Sequence, residues 1–81
     1  MAHVTLIGNL RQFTGGATEL EVEAGTVQQL FARLASQFPE LGPHIQQGLA
    51  VAIDGQIYQD ALFEPIGPNS EVQILPQIAG G

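Results

Sequence analysis

A chain of 81 residues has room for one modest core, and its 44% share of apolar side chains matches a folded globular protein. It contains no cysteine, which removes disulfides, thiolate metal sites, iron–sulfur chemistry and a cysteine nucleophile. Arg11 and Arg33 stand alone against eight carboxylates, and the formal charge of −6 repels phosphate backbones, so no nucleic acid is expected and a partner with a basic face is the natural complement.

The chain opens MAHVTLIG, with no basic region followed by a long apolar stretch. No secretion signal is read there, and a cytoplasmic location is expected. HVTLI (3–7) reads as a strand with Val4 and Leu6 on one side. RQFTGG follows, with Gly15-Gly16 marking a turn. TELEVEA (18–24) alternates, Leu20, Val22 and Ala24 on one face and Glu19, Glu21 and Glu23 on the other, which is the period of a half-buried strand. The three glutamates are expected on a solvated sheet face, with contact to a basic partner as the alternative.

The period then changes. Val27, Leu30, Phe31, Leu34, Ala35 and Phe38 form one helical stripe. Thr26 is placed to cap it and Gln29 to complete a capping box, and Pro39 stops it, so one main helix is predicted over about 26–38. LAVAI (49–53) is β-rich, and as the longest apolar run it falls far short of the roughly 20 residues that cross a bilayer, so no membrane partner is expected. Asp54-Gly55 turns the chain into QIY (56–58). QDALFEPIGPNS (59–70) is a loop punctuated by proline and glycine, with one helical turn expected around Leu62 and Phe63. EVQILP (71–76) is the last strand, with Val72 and Ile74 inward and Gln73 and Leu75 outward. His3 and His44 have no ligand spacing and are assigned ordinary surface roles; no metal site is predicted.

The order is therefore β-β-α-β-β-β in one α+β domain, a helix lying across one face of a mixed sheet. The first and last strands are expected side by side at its centre. Residues 1–76 form the domain and 77–81 a flexible tail ending in Gly80-Gly81.

Four pieces, NLRQFTGG (9–16), GTVQQLFARLASQFPEL (25–41), AVAIDGQ (50–56) and EVQILPQIAGG (71–81), together with that order, resemble the β-grasp, ubiquitin-like sulfur-carrier family. This family includes the small subunit of molybdopterin synthase and the thiamine-pathway carrier. The last piece is the most specific: a hydrophobic strand, a proline, a short spacer and a terminal diglycine. Length and the FPEL segment favour the molybdopterin branch. Family members often carry aromatics and a double proline before the tail, where this chain has Ile74-Leu75 and Pro76-Gln77. They also carry an acidic turn where it has Gly67-Pro68-Asn69-Ser70.

The resemblance implies a carrier and not an enzyme. An E1-like adenylating enzyme uses ATP to activate the Gly81 carboxylate, and sulfur from a persulfide donor replaces the AMP. The resulting thiocarboxylate donates its sulfur on a synthase, the molybdopterin synthase large subunit being the first choice. No cofactor is permanently bound; ATP is used by the activating partner. Ile78, Ala79 and Gly80 thread the partner's active site, because an arm from Pro76 to Gly81 reaches about 20 Å and its last two side chains are hydrogen. Arg11, Leu75 and Pro76 are candidate docking residues. Sulfur carriage for thiamine, cysteine or tRNA thiolation, a ubiquitin-like protein modifier, and a plain β-grasp binding module are the alternatives.

Overall fold

In the computed structural model, residues 1–59 and 61–76 are described. Five strands form one mixed sheet: β1 (Ala2–Leu6), β2 (Glu19–Val22), β3 (Leu49–Ile53), β4 (Gln56–Tyr58) and β5 (Glu71–Pro76), in spatial order β2-β1-β5-β3-β4. β1 and β5 lie side by side at the centre, as expected, and run parallel; every other pairing is antiparallel. The main helix, α1 (Val27–Gln37), lies within the predicted span. The architecture is the β-grasp of the resemblance.

Register explains which side chains form the core. Val4 pairs with Val72 and Leu6 with Ile74 across β1 and β5, and Val51 and Ile53 continue those rows onto β3. Paired residues share a face, so these six make one apolar surface, and Val4, Val72 and Ile74 are 0% exposed. Val27, Leu30, Phe31 and Leu34 of α1 close over it. Each such large side chain contributes about 1.5–3 kcal/mol on burial. β3 is buried on both faces: its Ala50 and Ala52 point away from the helix and are small enough for their neighbours to cover. Continuous apolar LAVAI reflects that double burial, whereas ELEV, with one face wet, alternates.

The ends of α1 follow from its flanks. Thr26 Oγ1 accepts from the Gln29 N–H at 3.2 Å, as a cap should. The reciprocal bond lands one residue early: Gln29 Oε1 accepts from the Gly25 N–H at 2.8 Å. The remaining free donors are met from afar, Val27 N–H donating to the Glu64 carbonyl at 3.1 Å and Gln28 N–H to that of Leu62 at 2.8 Å. Segment 61–65 is thus a buckle across the helix start. Around Leu62 and Phe63 it forms a single hydrogen-bonded turn, Glu64 N–H to Ala61 carbonyl at 3.0 Å, in place of the expected helical turn.

Three short elements lie beyond the predicted order. A 3-10 helix spans Gly8–Phe13, another spans Pro39–Leu41, and a six-residue α2 covers Gly42–Gln47. In Gly42–Gln47 Pro43 occupies the first helical turn, where a missing N–H costs nothing. The segment is too short to display a helical stripe, which is why periodicity misses it.

Candidate functional site

The site of interest is the C-terminal end of β5. Two neighbours hold that strand along most of its length, and Val72 and Ile74 root it in the core. The Ile7 N–H donates to the Ile74 carbonyl at 2.9 Å and carries the central ladder almost to the strand's end. Pro76 is the last residue of β5, exposed and opposite Leu49. Its missing donor removes nothing from a ladder that stops there.

Gly8 lies against Pro76. Its φ is +71°, a left-handed conformation that glycine adopts freely, and a Cβ at this position would lie 3.4 Å from Pro76 Cγ. Gly8 opens the 3-10 helix that carries Arg11. The Arg11 carbonyl ties the following turn: it accepts from the Thr14 N–H at 3.3 Å and the Gly16 N–H at 3.0 Å, with the Thr14 hydroxyl 3.1 Å away. The Arg11 side chain is exposed, with no salt bridge among the described residues. Across from this turn, the His44 ring on α2 stacks on Phe13, ring centroids 4.1 Å apart. Asn9, Leu10, His44, Gln47, Leu49 and Pro76 line a cleft of about 250 Å³ between the two.

Gly8–Phe13, α2 and the start of β3 therefore surround the point where the chain leaves the sheet. The structure brings Arg11 and Pro76 to the same end of the molecule. Leu75 points to the open face as predicted, but it is half-buried beside Ala50, so only part of it is offered to a partner. Ile78, Ala79, Gly80 and Gly81 lie outside the described residues. Sequence reading does not find the Gly8–Pro76 contact or the Phe13–His44 stack. NLRQFTGG marks the first region, but the partners in each pair are separated by 68 and 31 positions, and only the fold joins them.

Glu19, Glu21 and Glu23 are exposed, as alternation predicts. His3 adds what spacing does not show. Its Nε2 lies 2.8 Å from Glu19 Oε1 on β2, and its Nδ1 lies 2.8 Å from Glu71 Oε2 on β5. Two carboxylates require two N–H donors, hence the imidazolium. The hydrogen bond to Glu71, the largest influence, together with the charge of Glu71 and both contributions of Glu19, holds the His3 pKa above its ordinary 6.5 against desolvation, which pulls it down. Among the described residues, no group of three His, Asp or Glu side chains is arranged to hold a metal ion. No helix there is long and apolar enough to cross a membrane.

A family model described as the ThiS family matches residues 4–81. The chain belongs to the ThiS family. Its members are β-grasp sulfur carriers. The solved structures most similar in fold include small archaeal modifier protein 1 (SAMP1) from Methanosarcina acetivorans, 23% identical with a TM-score of 0.80, covering 99% of this chain and 95% of that one. CysO from Mycobacterium tuberculosis is 16% identical with a TM-score of 0.81, over 96% of this chain and all of that one. Subunit 1 or 2 in the complex of those two subunits of molybdopterin-converting factor from Helicobacter pylori is 20% identical with a TM-score of 0.70, over 99% and 97%. No curated protein matches at a significant level.

Proposed function

We propose that this ThiS-family protein is a sulfur carrier whose reactive group is the α-carboxylate of Gly81. Residues 77–81 act as a flexible arm on the domain formed by residues 1–76. The observation that carries the reading is a family match running through residue 81, on a chain whose last described strand lies at the centre of the sheet. A rigid root and a bare tip suit a group that must reach into another protein.

The carboxylate, with an ordinary pKa of about 3.3–3.7, is ionised at neutral pH and a poor electrophile. An E1-like enzyme spends ATP to convert it to an acyl-adenylate; the outer sulfur of a persulfide donor displaces AMP to give an acyl disulfide, and a second thiol, ending as a disulfide with the donor's thiol, reduces this to the thiocarboxylate. The carrier then docks on a synthase with Ile78, Ala79 and Gly80 in the partner's channel and Arg11, Leu75 and Pro76 at its mouth. The thiocarboxylate sulfur attacks substrate, and water cleaves the resulting acyl–sulfur bond, so that the sulfur stays on the substrate and the free carboxylate returns. The protein itself is a co-substrate and not a catalyst. Having no cysteine, it offers no side-chain thiol on which to carry sulfur. The acceptor we favour is the large subunit of molybdopterin synthase, acting in the cytoplasm; the likeness in fold to the Helicobacter complex supports this choice.

The fold shared with a protein named a modifier supports a second reading, in which the same adenylate ends as an amide on other proteins. The two chemistries part only after activation. Intact mass of the protein from its native cells separates them: a chain ending at Gly81 with one oxygen replaced by sulfur supports carriage. A ladder of heavier conjugates supports modification, and a mature chain ending elsewhere overturns both.

A further inference from the structure

The outer edge of the sheet carries free backbone groups and a row of carboxylates. β2 is an edge strand, paired only with β1. The Leu6 N–H donates to the Thr18 carbonyl at 2.8 Å, which fixes the parity of the ladder. Thr18, Leu20 and Val22 turn their backbone groups toward β1, and Glu19, Glu21 and Glu23 turn theirs to the free side. On that side one acceptor is already taken: Arg33 Nε, reaching from α1, donates to the Glu23 carbonyl at 2.8 Å. Glu19 and Glu21 have no such partner among the described residues. A shallow groove of about 240 Å³, lined by Glu21, Val22, Glu23, Arg33, Ser36 and Gln37, runs between this edge and the helix.

We propose that the β2 edge accepts an extended basic segment of a partner protein as a sixth, antiparallel strand, with Lys or Arg at alternate positions facing Glu19, Glu21 and Glu23. Strand addition supplies main-chain bonds, and alternate side chains supply specificity. Charge selects the occupant. A second copy is disfavoured, since antiparallel self-pairing sets glutamates against glutamates on a chain of net charge −6. The chain has no lysine of its own to offer. His3 already engages Glu19, whereas Glu21 and Glu23 have no ion pair among the described residues. The same charges that protect the edge from its own kind leave it open to a basic strand. The inference does not depend on the chemistry at Gly81, and each can fail without the other.

The test uses the full chain and a fluorescein-labelled peptide that alternates lysine and threonine, except that threonine also stands at one central lysine position. Two controls accompany it, one with the threonine at that central position, whose N–H faces β2 in an antiparallel pair, replaced by proline and one with every lysine replaced by glutamate. Binding of the lysine peptide should slow amide exchange at Glu19 and Glu21, and should weaken as salt screens the charges. The proline peptide, short of one donor and unable to complete the ladder, should bind about tenfold more weakly, and the glutamate peptide not at all. Glu21→Pro removes an outward donor and leaves the β1 ladder whole, so it should weaken binding similarly with the circular dichroism unchanged. If that variant does not fold, the proline peptide on the wild-type chain decides alone. Equal affinity of the lysine and proline peptides, or protection confined to residues away from β2, overturns the proposal.

Discussion

His3 is the side chain whose role depends most on its neighbours. Glu71 on β5 and Glu19 on β2 clamp its ring, Glu21 stands opposite it in register, and Asp54 Oδ1 accepts from the Glu71 N–H at 3.0 Å. A histidine whose folded pKa is raised above 6.5 contributes stability that is fully present below pH 6.5. That contribution is lost as pH rises through the folded value. Urea unfolding should therefore give wild type a larger advantage over His3→Gln at pH 5.5 than at pH 9. An advantage that grows with pH would contradict the clamp. Gly8 is the second decisive residue. Gly8→Ala must adopt a left-handed φ, at about 1–2 kcal/mol, and also meets the ring of Pro76. A loss of unfolding free energy of that size, read as a lower urea midpoint, is expected, together with shifted NMR signals at Pro76. A variant as stable as wild type would remove the strain assigned to this position.

At the scale of elements, α1 was the plainest in the sequence because cap, stripe and stop all agree: Thr26, then Leu30 and Leu34, then Pro39. Thr26→Ala should cost about 1 kcal/mol, since the Gln29 N–H loses its acceptor. Leu34→Ala should cost about 2–5 kcal/mol by opening a cavity at a fully buried site. Chemical denaturation checks both, and similar losses for the two would mean that the helix is held by its cap and not by its stripe. The strands were legible for a related reason. Alternation in ELEV and continuity in LAVAI each report burial directly. What remained hidden was made by contacts remote in sequence. Segment 61–65 gives no local sign that its carbonyls serve α1, and Phe63, 82% exposed on that pinned segment, has no periodicity to announce it. Gly42–Gln47 hid by shortness.

Taken whole, the molecule is a small acidic body whose central strand, paired on both sides, leads to its C-terminal segment. The adjacency of β1 and β5 at the sheet centre could be anticipated from the order of elements, and the register adds that they run parallel. The end of β5 was legible too, through the proline after Val72 and Ile74. Its surroundings, Gly8 on one side and His44 on the other, were not, since folding alone gathers them. The described core lies between Ala2 and Ile74. Deleting Gly81 should consequently abolish function while moving the melting temperature by no more than about 3 °C, as for a surface change. A large fall would mean that the tail is part of the fold.

The most direct measurement is adenylation itself: purified chain, ATP and the cognate activating enzyme, with transfer of labelled AMP to the chain followed by mass spectrometry of the C-terminal peptide. AMP on Gly81, absent when Gly81 is deleted, is the result predicted. A chain never labelled there, or one labelled equally well without Gly81, would contradict the proposal that its terminal carboxylate is the group these enzymes activate.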